Sequence, residues 1–200
     1  MYNIKTDVLS LTKTELRDFI RNKLNIESFR ADQIYFWIYN GKIICFDIHK
    51  NKLGLIEKSA ERLGINIIET HERDAAKLVG RDDPGAPRIF AAAEIVLCDV
   101  PCSGLGVTAK KPEIKYKTTG EISKLPELQF KILQACSDYV KPGGTLIYST
   151  CTLNKKENEE VADRFLNANK NFECGKIKTF FPHERKIDGF FLVKMKRIGV

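Results

Sequence analysis

Three short apolar runs limit what this chain can fold into. "KIICFDI" (42–48), "INIIET" (65–70) and "AEIVLCDV" (93–100) are too short for ordinary helices and rich in β-branched residues. Such runs read as strands of a parallel sheet, buried on both faces. Between the first two, Leu53, Ile56, Ala60 and Leu63 recur at helical spacing and the pattern stops at Gly64. A strand, a helix and a parallel strand form the crossover unit of α/β folds.

The same pattern continues along the chain. A helix is predicted over roughly 124–140, with Leu125, Leu128, Ile132, Leu133 and Cys136 facing inward. "GGTLIYST" (143–150) follows as a strand, and a helix over 155–168 has Asn154 and Glu157 placed to cap it. "DGFFLVKMKR" (188–197) reads as the final strand, while "GRDDPGAPRIFAAA" (80–93) favours loop and has no place in the sheet. The first 40 residues differ in texture. Thr12 and Glu15 form a capping box before Leu16, Phe19, Ile20 and Leu24, and a second helix from about Arg30 carries Ile34, Trp37 and Ile38. The expected organisation is a helical segment over 1–40 and an α/β domain over 41–200.

No apolar run approaches the ~20 residues of a membrane span and no signal-peptide core opens the sequence. A cytoplasmic protein without membrane contact is therefore expected. Six cysteines are scattered without a C-x-x-C pair, and none of the three histidines has ligand spacing with a cysteine. Disulfides and a metal site are both disfavoured. The net charge of +7 is one-sided: residues 1–100 balance 15 basic against 15 acidic groups, whereas 101–200 carry 18 against 11. "AKKPEIKYK" (109–117) and the stretch from Lys176 to Arg197 dominate the excess, which suggests either a polyanionic partner or a solvated basic face. Oligomeric state leaves no mark on the sequence.

In open α/β sheets ligands bind at the carboxyl ends of the strands. Asp47, Asp99 and Cys151 all fall at or just after such ends. Cys102 and Cys151 lie in loops of small residues, Pro-Cys-Ser-Gly and Ser-Thr-Cys-Thr, while Cys45, Cys98 and Cys136 sit in periodic apolar runs as packing residues and Cys174 has no evident role. A hydrolase-type Cys–His pair is one reading of the loop thiols, with His183 as its loop histidine. Methylation at C5 of a pyrimidine fits two thiols beside a carboxyl group better. A thiolate adds at C6, the resulting enamine attacks a methyl donor from C5, an acid near N3 stabilises the adduct, and a second thiol helps resolve it.

"DVPCSGLGV", "KKPEIKY", "VKPGGTLIYSTCT", "NEEVADRFL" and "DGFFLVKMKR" resemble, in order, the RNA (cytosine-5)-methyltransferase family, closest to its 16S rRNA branch (RsmB/Fmu). That resemblance implies a Rossmann-like sheet, S-adenosylmethionine as cofactor and RNA, notably rRNA, as partner. It puts the nucleophile on Cys151, the release-assisting cysteine on Cys102 and the motif carboxylate, beside cofactor and base, on Asp99. Asp47 matches the acid that binds the cofactor ribose, and Asp74 in "ERDAAKL" the acid near its adenine, although Arg73 stands where the family has Gly. Lys110, Lys111 and Lys115 match phosphate contacts and Tyr116 a stacking residue.

One family feature has no match. The Gly-rich cofactor loop and the strand before it should precede "GKIICFDI", yet the first 40 residues contain no glycine. Instead "FRADQIYFWIYN" and its surroundings, residues 6–40, resemble the N-terminal helical region of the radical-SAM 23S rRNA adenine methyltransferase family (RlmN). The expectation is a sheet missing its first strand, with either a gap or direct pairing across it. The alternative to an active methyltransferase is an inactive RNA-binding remnant or a fusion of two rRNA methyltransferase genes, joined near Asn40.

Overall fold

The computed structural model describes residues 14, 15, 18, 42–77, 93–185 and 187–199. Of the N-terminal helices expected over 1–40, only Thr14, Glu15 and Asp18 fall among these, and they are helical. The rest of that segment and most of the loop over 80–93 lie outside the described residues. The chain divides into two compact units, up to Asp74 and from Ala75 onward.

The first unit is a β–α–β crossover. Strand β1 (Ile43–Asp47) pairs in parallel with β2 (Ile68–Glu72), Ile43 opposite Ile68 and Asp47 opposite Glu72. Helix α1 (Lys50–Leu63) connects them and buries Leu53 and Ala60. Leu63, which shares their helical spacing, is exposed. The helix ends because Gly64 turns left-handed at φ 68°, its N–H closing onto Ala60 and Glu61 carbonyls.

The second unit is a four-stranded sheet ordered β3-β4-β6-β5. It comprises β3 (Ala93–Asp99), β4 (Val140–Thr150), β5 (Phe172–Phe180) and β6 (Phe190–Arg197). β3 and β4 run parallel, and β6 lies antiparallel between β4 and β5. The helices are α2 (Thr119–Ile122), α3 (Leu125–Ser137), α4 (Glu159–Ala168) and α5 (Pro182–Arg185), with single 3-10 turns at Pro112–Tyr116 and Lys155–Glu157. A mixed α/β fold with a parallel-containing sheet is what the strand pattern predicts.

The core lies where α3 and α4 meet this sheet. Ile132 and Leu133 of α3 and Val161, Ala162 and Phe165 of α4 pack with Leu146, Tyr148, Phe191, Val193 and Met195 of the central strands. Phe165 meets Phe172 edge-on at 5.3 Å between ring centroids, a favoured aromatic geometry. Two expectations need correction here. Leu128 is 39% exposed, whereas its neighbour Gln129 is fully buried. The helix predicted from 155 breaks instead at Asn158 between the 3-10 turn and α4, with the Asn154 side chain accepting the Lys156 N–H.

Candidate active site

Parallel pairing brings the ends of β3 and β4 to one edge, with Asp99 opposite Ser149 and the Val100 N–H reaching the Ser149 carbonyl at 3.3 Å. The two loops that leave this edge carry the loop cysteines. Cys151 follows β4 directly and Cys102 comes three residues after β3, both half-buried. Their sulfurs are 3.0 Å apart. Asp99 is exposed at the strand end, its Oδ1 accepting the Ser149 hydroxyl at 3.0 Å.

The thiols are electrostatically unequal. A hydrogen bond from the Cys102 thiol holds Cys151 down to about 7, against the opposing effects of burial and Asp99 and with help from Lys111. The same hydrogen bond, with burial, pushes Cys102 far above the thiol range. Around and above neutral pH Cys151 is thus the thiol that ionises to the nucleophilic thiolate, and Cys102 the hydrogen-bond donor.

Several contacts lace the two loops together. Ser103 Oγ and Thr152 Oγ1 are 2.7 Å apart, and the Gly106 N–H donates to the Cys151 carbonyl at 3.0 Å. The Gly189 N–H, just before β6, donates to the Gly106 carbonyl at 2.7 Å. Backbones approach this closely because both residues lack a Cβ. Buried Glu157 receives the Ser103 N–H at 2.8 Å, Gln129 Nε2 at 3.0 Å and Asn154 Nδ2 at 2.9 Å. Glu157 is therefore not the helix cap its spacing suggests.

The basic loop lies next in the chain. Lys111, Lys115 and Tyr116 are exposed, Tyr116 at 87%. Lys110 is exposed too and pairs with Asp188 at 2.7 Å. Lys117, not singled out in the sequence, donates to the Ser103 carbonyl at 3.0 Å. His183 lies on α5 with its ring against Phe181, 5.6 Å between centroids.

In the first unit Asp47 ends β1. Its Oδ1 accepts the His49 N–H at 2.8 Å and its Oδ2 lies 3.6 Å from Lys52 Nζ. The Arg73 N–H reaches the Asp47 carbonyl at 3.0 Å, which sets the adjacent Asp74, half-buried, at the same strand edge.

The sequence profile of the 16S rRNA methyltransferase RsmB/F family matches residues 36–196. The chain belongs to this family. A second profile, the N-terminal domain of ribosomal RNA large subunit methyltransferase (RlmN), matches residues 6–51. The probable ribosomal RNA small subunit methyltransferase B of Bacillus subtilis is 36% identical over 179 residues, covering 80% of this chain and 38% of that protein. The tRNA (cytosine(72)-C(5))-methyltransferase of Pyrococcus horikoshii is 30% identical over 170 residues, covering 79% and 41%. The crystal structure of NSun6 from Pyrococcus horikoshii with SFG superposes with a TM-score of 0.67 at 26% identity, over 86% of this chain and 45% of that one. The chain spans about two fifths of the length of these two relatives.

Proposed function

We propose that this chain carries the catalytic thiols of an S-adenosylmethionine-dependent RNA cytosine-C5 methyltransferase acting on rRNA. The observation that carries the reading is the thiol pair at one strand edge, 3.0 Å apart, with Cys151 held at about 7. Cys151 adds to C6 of a cytosine that has left its stack. Asp99 stabilises the adduct near N3. Once C5 carried the methyl group, loss of the C5 proton would break the C6–sulfur bond and return the thiolate, with Cys102 assisting release. Lys110, Lys111 and Lys115 meet phosphates and Tyr116 offers a stacking face.

S-adenosylmethionine supplies an electrophilic methyl group. The residues fit it in donor chemistry: a strand-end carboxylate accepts from ribose hydroxyls, and Asp47 keeps lone pairs beyond the one the His49 N–H uses. Asp74 would serve the adenine side, and Asp99 the reacting centre.

The test is a denaturing gel with RNA and S-adenosylmethionine. Cys151→Ala should give neither methylation nor adduct, whereas Cys102→Ala should accumulate a covalent protein–RNA band. The reverse pattern would exchange the two roles. A second reading, an RNA-binding remnant or gene fusion without methyl transfer, is supported by the RlmN-type profile over residues 6–51, most of which precedes the RsmB/F match at 36–196. Absence of methylation and adduct in every variant, wild type included, would favour it.

A further inference from the structure

The fully buried carboxylate of Glu157 takes no part in the chemistry just described. A buried carboxylate is costly unless its oxygens are well supplied with donors. Here three N–H donors arrive from three segments: the Ser103 backbone in the Cys102 loop, Gln129 in α3, and Asn154 in the Cys151 loop. Gln129 Nε2 also donates to the Pro101 carbonyl at 2.9 Å. Both peptide groups flanking Cys102 are thereby fixed, one directly by Glu157 and one through Gln129. The other end of the same residue is fixed as well, since the Glu157 carbonyl accepts the Tyr148 hydroxyl at 2.5 Å from within β4.

We propose that Glu157 is a positioning residue, whose buried carboxylate clamps the Cys102 loop so that its thiol is held against Cys151. The assignment rests on the cysteine chemistry proposed above only for its consequence in catalysis; the clamp itself is a property of the thiol pair. A carboxylate suits this place better than an amide, because all three partners are donors and a carboxylate accepts at both oxygens. With glutamine there, one –NH₂ would face a donor and the charge-assisted character of the other contacts would go.

The carboxylate acts on Cys151 through geometry, and the sign of its effect separates this from a direct electrostatic role. The ionisable or charged groups that bear on the Cys151 sulfur are Cys102, Asp99 and Lys111. Removing a nearby negative charge would by itself favour the thiolate and lower the Cys151 midpoint. Loosening the clamp weakens the Cys102 hydrogen bond, the largest influence holding Cys151 down, and raises it.

The experiment uses the full chain as wild type, Glu157→Gln and Gln129→Met. Diamide converts the two thiols to a disulfide by taking two electrons and two protons and becoming the hydrazine, and peptide mass mapping reads the Cys102–Cys151 link. Iodoacetamide alkylation of Cys151 against pH gives its midpoint, and melting curves normalise for folded protein. Glu157→Gln should slow disulfide closure about tenfold and raise the midpoint by about one unit, with Gln129→Met moving both in the same direction by less. Should Glu157→Gln fail to fold, Gln129→Met decides alone. Closure within twofold of wild type at an unchanged midpoint, or a lowered midpoint, overturns the proposal. Methylation by the wild type is scored separately: thiol effects without methyl transfer would sink the proposed function and leave the clamp standing.

Discussion

Replacing Gly106 by alanine is the most severe single-methyl change this site offers. The added Cβ would lie 2.6 Å from the Gly189 carbonyl carbon and 2.8 Å from the Cys151 oxygen, and would overlap the Gly189 oxygen outright. Carbon contacts normally settle near 3.5–4.0 Å, so the loops must part by about 1 Å. All three obstacles are backbone, so no side-chain rotation relieves them. Overpacking of this kind costs about 1–3 kcal/mol. Parting the loops also gives up the hydrogen bonds from Gly106 N to Cys151 O, 3.0 Å, and from Gly189 N to Gly106 O, 2.7 Å, at about 1 kcal/mol each. The expected loss is about 3–5 kcal/mol, read from urea unfolding followed by circular dichroism at constant m-value. Gly189→Ala should cost less, because two of the three atoms its Cβ meets belong to the movable Leu153 side chain, against the Gly106 Cα at 2.8 Å. A loss under 1 kcal/mol for Gly106→Ala would refute the claim that these two glycines are close-packed for a reason.

Two further outcomes follow from the site. Cys102→Ala removes the largest influence lowering Cys151 and leaves burial and Asp99 to raise it, so the alkylation midpoint should climb from about 7 to or above the ordinary thiol value of about 8.5, and a midpoint still near 7 would count against the hydrogen bond as the cause. Changing Lys110, Lys111 and Lys115 together to alanine should reduce the salt slope of RNA binding by up to about three phosphate contacts; because Lys110 already pairs with Asp188, the loss should lie nearer two, and an unchanged slope would remove this loop from the interface.

The sequence exposed those parts of the fold in which burial is periodic. β1, β3 and most of β4 are short apolar runs, and the parallel pairing of β3 with β4 follows from the helix between them; β2 (IETHE) begins three residues later than the apolar run over 65–70 predicts, and carries only one apolar residue. β5 escaped notice because "FECGKIKTF" is an edge strand, exposed along most of its length, with no alternation to betray it. Gln129 is hidden because a polar residue beside Leu128 reads as solvent-facing; its Nε2 bonds to Pro101 and Glu157 offset part of the burial cost, while its Oε1 is buried without a partner. The role of Glu157 is hidden for a related reason. Three residues after Asn154 is capping-box spacing, and nothing local in sequence says that its carboxylate turns towards a loop 54 positions away. Cys102 and Cys151 stood out by their loops, but their contact and unequal acidity exist only once β3 and β4 are paired. Asp47 and Asp74 fall at one strand edge because Asp47 ends β1 and Asp74 lies two residues beyond the end of β2.

The sheet order β3-β4-β6-β5 bears on when the packing around the thiol pair is completed. β6 is latest in sequence yet occupies an inner place, so β4 and β5 each present an open edge while a growing chain awaits it. Pairing between distant segments is slow, and open edges invite association with other chains. Gly189, at the entrance to β6, is also the outer link of the chain of backbone contacts that runs through Gly106 to Cys151. A nascent or truncated polypeptide that stops before Asp188 would therefore lack the outermost of the backbone contacts that hold the Cys151 loop. Insertion of the strand that closes both open edges also completes the packing beside the thiol pair.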